Sequence, residues 1–415
     1  MFNSIPEHVP TMQYFQRRRF IKGVGTATIG ALAGATLPLA RRKRYGLIPG
    51  ASANEAMPIE GKDGLRVLND RPLNAETPPH LLDDEVTPTE RHFIRNNGIV
   101  PQDMNPDTWM LKIEGLVERP MSLSINELRT RFEVVSHRLV IECGGNGRAR
   151  FDPPARGNQW TLGAVACAEW TGVRLVDVLE AAGIKDTAIY TAHEGADLHL
   201  SGTPGKLPIS RGVPLAKALD SYNLIAFEMN GGPLHPMNGA PLRLVIPGWP
   251  GSCSQKWLTR IWLRNIEHDG PKMGGSSYRV PPYPVAPGEM VPAENMQIIH
   301  AMPVKSLITR PQTGQLVKGR KLEVAGHAWA GDSEVSRVDV SMDYGATWQP
   351  ADLAKQHNPH AWQRFSTHIQ FPNPGYYQVW ARATDRDGLS QPFTAAWNPK
   401  GYLNNALHHI SVRAI

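Results

Sequence analysis

The spacing of apolar residues changes near Met302, and this change constrains the fold more than any other feature of the sequence. After it, short alternating segments such as Val335–Met342 and Tyr377–Ala383 are separated by turn-forming residues, as is typical of an immunoglobulin-like β-sandwich. Before it, strand-like and helix-like segments mix without regular βαβ alternation or a glycine fingerprint. The sequence therefore predicts an α+β domain over 91–298, followed by an all-β sandwich over 299–415.

Individual elements of the first domain can be predicted from local signals. Predicted strands are Trp109–Gly115, Leu139–Cys143 and Leu242–Gly248. Ser124 is a favourable cap for a short helix, and Gly183 is expected to end a helix over Leu175–Ala182. Residues 54–90 are polar and rich in proline, which predicts an extended arm. The Gly-, Pro- and Tyr-rich stretch 266–295 predicts a long ordered loop with a functional role.

The N-terminus has the order of segments expected of an export signal. Gln16–Lys22 fits a twin-arginine pattern, Gly23–Ala40 is too weakly apolar for a good membrane span, and Ala51–Ala53 offers a cleavage site. We therefore expect a twin-arginine signal peptide over 1–53, a periplasmic protein and no stable membrane span in the mature form. Because Arg41–Arg44 follows the apolar run, an uncleaved anchor stays open, as does a basic, disordered N-terminus.

The basic charge of the chain lies mainly in this leader. The formal net charge is +6, but residues 1–53 contain eight of the 44 Lys and Arg residues and one of the 38 acids. The remainder has 36 bases against 37 acids, a net charge of −1. A nucleic-acid-binding protein would keep its basic patch in the folded part, so we expect no nucleic-acid partner.

Cysteine usage excludes two common kinds of site. The chain has three cysteines, Cys143, Cys167 and Cys253, which do not form a disulfide framework. No Cys-x-x-Cys-His sequence is present, so we expect no c-type haem in this chain. Cys167 stands in a helix-like Ala-Cys-Ala context and is expected to be packing, and Cys253 is not expected to be a ligand. His193, His199 and His235 lack the spacing of a zinc cluster and are interpreted as loop residues.

Cys143 stands in the most informative stretch, Ile141–Arg148. A buried-looking strand ends at this cysteine, and Gly144 and Gly145 then let the backbone approach a bulky group. Arg148 adds a permanent positive charge that favours thiolate over thiol, and thiolate is the form that binds a metal. A lone buried cysteine is more often inert, but this context favours Cys143 as a metal ligand.

This stretch resembles the molybdenum-binding motif of the sulfite oxidase family, in which one cysteine ligates molybdenum beside a pterin dithiolene. Other segments carry the same resemblance to nearly the end of the chain. The resemblance implies cofactor contacts from Phe93, Ile94, Arg95, Asn96, Asn97, Trp160, Asp197, Asn238, Arg243, Ser254, Gln255 and Lys256. Asn97 and Asn238 stand where many members of the family have His. Tyr278 falls at the position of an active-site tyrosine, with Tyr283 as the alternative.

The resemblance further implies oxidation of sulfite to sulfate at a molybdenum–molybdopterin cofactor. Arg95 and Arg148 would form the oxyanion pocket, Tyr278 would hydrogen-bond to the reacting group, and a c-type cytochrome would accept the electrons. The β-sandwich is similar to the family's dimerisation domain and implies a homodimer. The fit is best to bacterial periplasmic sulfite dehydrogenases that lack a haem domain.

The substrate and the class of protein both stay open at this point. The family commonly has a further arginine from the second domain, but Gly331–Glu334 contains none, so another sulfur compound is a possible substrate. A sulfane dehydrogenase subunit of a thiosulfate-oxidising complex is the nearest rival, and a sulfoxide reductase is a more distant one. A secreted β-sandwich binding protein without catalysis would explain the leader and the last domain, but not Cys143.

Overall fold

The computed structural model describes residues 58–415, so the predicted signal peptide and its cleavage site lie outside the described residues. The strands of the first part are β1 (Arg66–Asp70), β2 (Leu73–Glu76), β3 (Ile94–Arg95), β4 (Met110–Gly115), β5 (Met121–Ser124), β6 (Val134–Glu142), β7 (Val165–Arg174), β8 (Tyr190–Gly195), β9 (Leu224–Met229), β10 (Gly232–Pro233), β11 (Arg243–Val245), β12 (Leu258–Arg264), β13 (Arg279–Val280) and β14 (Gln297–Ile298). The helices are α1 (Ile125–Arg131), α2 (Leu175–Ala182) and α3 (Leu215–Ala218).

Two larger sheets form the first part. One has the order β10-β9-β7-β6, with β11 also paired to β9, and the other has the order β5-β4-β12-β8. Of the pairs in these sheets, β4 with β12 is parallel and the rest are antiparallel. The apolar face of α2 packs between them with Val178 and Leu179 fully buried. This is the predicted α+β arrangement, since a doubly wound fold would need a parallel sheet.

The predicted helices have the caps expected from the sequence. The Ser124 hydroxyl accepts a hydrogen bond from the Glu127 amide at 3.2 Å, while the Glu127 carboxylate accepts one from the Ser124 amide at 2.8 Å. This reciprocal capping box satisfies two amides that an uncapped helix leaves open. Gly183 follows α2 with a φ of 73°, a conformation that glycine adopts at low cost.

Residues 66–76 depart from the extended arm that the sequence predicts. Strands β1 and β2 form an antiparallel hairpin, and β2 pairs with β3. Leu65, Ala75 and Ile94 form a small buried cluster under this sheet. The apolar positions are too few to show a strand period in the sequence, and the partner strand lies about 20 residues further along.

Cys167 and His193 are not where the sequence placed them. Cys167 lies in β7 rather than in a helix. Because β7 is buried on both faces, its sequence lacks the alternation of apolar and polar residues that would have indicated a strand. His193 lies in β8 rather than in a loop, and it is fully buried. His199 and His235 do lie outside helices and strands. No group of His, Cys, Asp and Glu within 58–415 has the arrangement of a metal cluster.

The second part is a sandwich of two sheets. Its strands are β15 (Lys305–Arg310), β16 (Gln315–Val317), β17 (Lys321–Trp329), β18 (Val335–Ser341), β19 (Gln349–Pro350), β20 (Asp352–Leu353), β21 (Gln363–Gln370), β22 (Gly375–Asp385) and β23 (His408–Ala414). They form the sheets β15-β17-β21-β20 and β16-β23-β22-β18-β19. Inward-facing residues such as Val324, Phe365 and Val379 fill the space between the sheets, which confirms the predicted β-sandwich. No helix within 58–415 is long and apolar enough to cross a membrane.

Candidate active site

The loop after β6 holds Cys143 in one conformation. The Cys143 amide donates to the Ala164 carbonyl at 2.9 Å, and the Cys143 carbonyl accepts from the Asn146 amide at 2.8 Å. The Asn146 side chain donates to Glu142 Oε1 at 3.0 Å and accepts from the Ala164 amide at 3.1 Å. A Cβ at Gly145 would lie 2.5 Å from Arg148 Nη2, so any larger residue there would displace the Arg148 guanidinium. The loop is therefore fixed on both sides of the sulfur.

Cys143 lines a cavity of the first domain. Most of the predicted site residues line the same cavity: Phe93, Arg95, Asn97, Asp197, Asn238, Arg243, Ser254, Gln255, Lys256 and Tyr278. Ile141, Ile209, Met237 and Trp257 add apolar surface to it. Segments far apart in the sequence thus meet around one thiol, as the resemblance implied.

Four predicted residues lie outside this lining. Ile94 is fully buried in the small cluster under the β1–β3 sheet, and Trp160 packs edge-on against the Phe93 ring at 6.4 Å. The Asn96 side chain accepts a hydrogen bond from Lys256 Nζ. The fourth, Arg148, lies behind the Cys143 loop. These residues hold cavity-lining side chains in place rather than form the wall.

Arg148 departs from the predicted oxyanion pocket. Its guanidinium donates to the Lys400 carbonyl at 2.8 Å and to the Asn158 carbonyl at 3.0 Å, and it lies over the Tyr402 ring at 5.0 Å. These hydrogen bonds use two of the five N–H groups of the guanidinium, and Arg148 is not among the residues that line the cavity. Of the two arginines predicted for the oxyanion pocket, Arg95 lines the cavity.

Positive charge is concentrated around the cavity. Burial lowers the pKa of Arg243 to about 9 and that of Lys272 to about 8, and it lowers the pKa of Lys256 well below its ordinary value. Among residues 58–415, Asp197 is the sole carboxylate of the lining, and burial raises its pKa to about 6. Buried cations without matching acids are costly unless an anion joins them. The cavity therefore suits an anionic ligand.

Asn97, where the resemblance leads one to expect histidine, connects the side chains of Arg95 and Lys272. Its Oδ1 accepts from Arg95 Nη2 at 2.9 Å and from Lys272 Nζ at 2.6 Å. An amide oxygen has two lone pairs, whereas a neutral imidazole offers one acceptor nitrogen. The amide thus fits this position better than histidine, because Lys272 lies beside Arg95 in this protein.

Three buried polar atoms of the cavity-lining residues have no partner within 58–415. They are His92 Nε2, Asp197 Oδ1 and Ser252 Oγ. Buried polar groups in folded proteins are almost always hydrogen-bonded, so such atoms indicate a polar ligand. Neither His92 nor Ser252 was predicted. His92 could have been identified as a candidate because it directly precedes Phe93, a predicted cofactor contact.

Tyr278 lies in a stack of aromatic and cationic groups. Its ring is stacked on Tyr402 at 5.4 Å with 19° between the planes, and the Arg211 guanidinium lies 4.8 Å from its centroid. Tyr283 is 49% exposed and does not line the cavity. The position of Tyr278 favours it over Tyr283 as the active-site tyrosine. Tyr402 and Arg211 were missed, because nothing nearby in the sequence distinguishes them.

Gly331–Glu334, the stretch of the second domain where the resemblance implies a further arginine, contains Asp332 and no arginine. Asp332 accepts from Trp249 Nε1 at 2.8 Å and from Lys217 Nζ at 3.0 Å, and it does not line the cavity. The other two cysteines are also outside the lining. Burial raises the pKa of Cys167 to about 12, so its thiol is inert.

A sandwich joined to an α+β domain with a fixed thiol in a cationic cavity defines an oxidoreductase of the molybdopterin-binding class. Residues 97–272 match the oxidoreductase molybdopterin binding domain, and residues 296–415 match the Mo-co oxidoreductase dimerisation domain. The mitochondrial sulfite oxidase of Rattus norvegicus is 34% identical over 371 residues, covering 85% of this chain and 66% of that protein. The sulfite oxidase of Gallus gallus is 34% identical, covering 83% of this chain and 77% of that protein.

Among solved structures, the sulfane dehydrogenase SoxCD from Paracoccus pantotrophus is similar with a TM-score of 0.70 and 28% identity. The match covers 88% of this chain and 92% of that chain. The chain belongs to the sulfite oxidase family. It spans 65–66% of the length of the rat and human sulfite oxidases that it matches.

The residues of the cavity fit a molybdenum–molybdopterin cofactor. The unpartnered polar atoms suit a polar heterocycle, the excess of cations suits its phosphate, and a thiol suits molybdenum. Cys143 would hold the metal. Asn238, Arg243, Ser254 and Lys256 would hold the pterin.

Proposed function

We propose that this protein oxidises sulfite to sulfate at a mononuclear molybdenum centre and passes the electrons to a c-type cytochrome. The observation that carries the proposal is the meeting of Cys143, Arg95 and Tyr278 at one cavity with cationic walls. The similarity to sulfite oxidases over more than four fifths of the chain supports the choice of sulfite.

The reaction converts sulfite and water to sulfate with release of two electrons and two protons. When bound, the molybdenum cofactor supplies the oxygen transfer and takes up both electrons. Arg95 binds the oxyanion with a planar guanidinium that stays charged throughout. The Tyr278 hydroxyl donates a hydrogen bond at the reacting end, and Arg148 acts through Tyr402, whose ring it holds from behind.

The remaining cofactor contacts divide by function. Direct contacts come from the cavity-lining residues Phe93, Asn97, Asp197, Asn238, Arg243, Ser254, Gln255 and Lys256. Ile94, Asn96 and Trp160 position them from behind. When the cofactor is bound, a phosphate near Arg243 and Lys256 would offset their buried charge, because a buried cation gains from being paired.

Location and assembly complete the proposal. The twin-arginine pattern at Gln16–Lys22 supports export of the folded protein to the periplasm, where c-type cytochromes are available as acceptors. The dimerisation domain over 296–415 supports a homodimer. Contact with the cytochrome is expected to be small and transient, as is usual in electron transfer.

A sulfane dehydrogenase subunit is the second candidate. The absence of an arginine from Gly331–Glu334 and the similarity to SoxCD favour it. Fewer cations at the substrate end would suit a sulfur compound that carries less charge per molecule than sulfite. Turnover with sulfite supports the first candidate, whereas turnover only in the presence of thiosulfate-oxidising partner proteins supports the second.

The decisive experiment combines elemental analysis with substitution of the thiol. Purified protein is expected to contain one molybdenum per chain and to reduce ferricyanide or cytochrome c with sulfite. Cys143→Ser is expected to fold and to lose sulfite turnover. Cys167→Ala is the matched control, because this buried thiol lies outside the cavity. Protein free of molybdenum would contradict the proposal and favour a binding module.

A further inference from the structure

A second cavity lies between the two domains. It is bounded by Arg138 of β6 in the first domain and by residues 354–364 of the sandwich, between β20 and the start of β21. Its lining and that of the cofactor cavity share no residue within 58–415. The Asn358 side chain donates to the Arg138 carbonyl at 2.9 Å, and the Val140 amide donates to the His360 carbonyl at 2.9 Å. Contacts to the backbone thus fix the two sides of this interdomain cavity to each other.

Positive charge dominates the lining of the interdomain cavity. Within 58–415, three cations line it, Arg138, Lys355 and Arg364, together with one carboxylate, Glu85. Arg138 Nη1 donates to His357 Nε2 at 2.5 Å and lies 3.5 Å from Glu85 Oε2. A guanidinium has five N–H groups, so Arg138 has donors left for a further acceptor. The lining therefore favours an anion that accepts several hydrogen bonds.

Acids outside the lining hold two of these cations in place. Glu169 Oε2 lies 3.8 Å from Arg138 Nε, and Asp83 Oδ1 lies 3.2 Å from Arg364 Nη2. Neither acid lines the interdomain cavity, so neither takes the position of a ligand there. The side chain of Glu85 does line it, but this side chain is 58% exposed and can turn toward solvent. The described acids thus leave room for a bound anion.

His327 adds a buried polar group without a partner to the same lining. The residue is fully buried, and its ring stacks on Trp362 with centroids 4.1 Å apart and 7° between the planes. Burial and the Arg364 guanidinium lower the pKa of His327 to about 4, although the carbonyls of Asp83 and Leu82 act to raise it. The neutral ring has one donor and one acceptor nitrogen, and neither has a hydrogen-bond partner within 58–415. Since buried polar atoms are almost always hydrogen-bonded, a polar ligand is expected beside this ring.

We propose that the interdomain cavity binds a small tetrahedral oxyanion, of the class of sulfate and phosphate, through Arg138, Lys355 and His327. The oxyanion joins β6 to the sandwich, because Arg138 belongs to the first domain and the other two residues to the second. Sulfate is the product of the proposed reaction, whereas phosphate has the same shape and carries an O–H group in addition. The inference does not rest on the proposed function, because the two cavities share no lining residue within 58–415.

Binding is measured by isothermal titration calorimetry on the purified full-length protein. Sulfate and phosphate are titrated separately, at an ionic strength held constant with sodium chloride. The reference protein and all variants carry Arg95→Gln, which weakens competing binding of anions in the cavity around Cys143. We expect saturable binding of both anions. Tighter binding of phosphate indicates that the His327 ring accepts its O–H, and sulfate bound at least as tightly indicates that the ring donates.

Substitutions in the lining are expected to shift the affinity in opposite directions. Arg138→Gln removes charge-assisted hydrogen bonds and should weaken binding about tenfold. Lys355→Gln removes an exposed charge and should weaken it about threefold. Glu85→Gln removes the competing acid and should strengthen binding about threefold. Lys318→Gln, at an exposed lysine of the sandwich outside the cavity, is the matched control and should have no effect.

The imidazole is tested separately from the charges. His327→Phe keeps a ring to stack on Trp362 but removes both nitrogens, and it should weaken binding about fivefold. Circular dichroism verifies that each variant is folded, and if His327→Phe does not fold, the three charge variants still decide. Failure of both anions to bind the reference protein would overturn the inference. Equal affinities in the reference protein, Arg138→Gln and Glu85→Gln would also overturn it.

Discussion

Lys305→Met removes the cation of an ion pair that joins the two domains beside Cys143. Lys305 Nζ lies 2.5 Å from Glu142 Oε1, and the two side chains are 6% and 2% exposed. After the substitution, Glu142 keeps hydrogen bonds from Trp329 Nε1 at 2.9 Å and from Asn146 Nδ2 at 3.0 Å, but it has no cation. The carboxylate is thus left buried with part of its charge uncompensated.

Removing one partner of a buried pair costs about 3–5 kcal/mol. The two remaining hydrogen bonds offset part of this loss, so we expect a decrease of about 3 kcal/mol in the free energy of unfolding. A decrease of that size lowers the unfolding temperature by about 6 °C in a domain of this size. Because Glu142 also holds Asn146, we expect reduced molybdenum content as well.

Thermal unfolding of the wild type and variants, followed by circular dichroism, measures this cost. Glu142→Gln in combination with Lys305→Met restores charge balance, so the double variant should lose less than the two single losses added together. Arg386→Met is the control, because its partner Glu334 pairs with a guanidinium that is 65% exposed. That change should cost less than about 1 kcal/mol. Additive losses, or a Lys305→Met shift no larger than the control, would refute the reasoning.

Three further predictions concern the cavity. Burial raises the pKa of Asp197 from 3.8 to about 6 in the folded state, so its ionisation costs stability as the pH rises from about 4 to above 6. In cofactor-free protein, urea unfolding should therefore show that Asp197→Asn raises the free energy of unfolding by up to about 3 kcal/mol at pH 7 and leaves it nearly unchanged at pH 4. Equal effects of the substitution at both pH values would contradict this. Iodoacetamide should alkylate Cys143 in cofactor-free protein and leave Cys167 unmodified, as read by mass spectrometry, and bound cofactor should protect Cys143. Tyr278→Phe should lower sulfite turnover about 100-fold, whereas Tyr283→Phe should leave it unchanged; the opposite order would reverse the assignment.

Elements with local signals were predictable from the sequence. The capping box at Ser124 and the glycine after α2 define two helices by contacts within one turn. Strand β7 was misread around Cys167, because a strand buried on both faces shows no alternation. In the structure, Cys167 packs on one face of the sheet and Trp170 on the other. The two-residue period exists, but small residues on both faces conceal it.

Within the site, the cavity-lining residues that were predicted lie in short contiguous motifs. The residues that were missed act through contacts between distant segments. Lys62 lies 176 positions from Asn238, and Tyr402 contacts Arg148 from the C-terminal end of the chain. For Arg148, contacts between distant segments made a prediction from sequence position wrong. Its distance from Cys143 in sequence fits an oxyanion pocket, but its guanidinium hydrogen-bonds to the Lys400 carbonyl, lies over the Tyr402 ring and does not line the cavity.

The second domain therefore belongs to the active site, although its residues do not line the cavity within 58–415. The Leu403 amide donates to the Gly144 carbonyl at 3.0 Å, and the Lys400 carbonyl accepts from Arg148. Lys305 neutralises the acid directly before Cys143. The loop that carries the thiol is thus held by backbone and charge from 305–403 as well as by its own domain. A separated first domain would lose these contacts together, so the position of Cys143 depends on the sandwich as much as on the loop sequence.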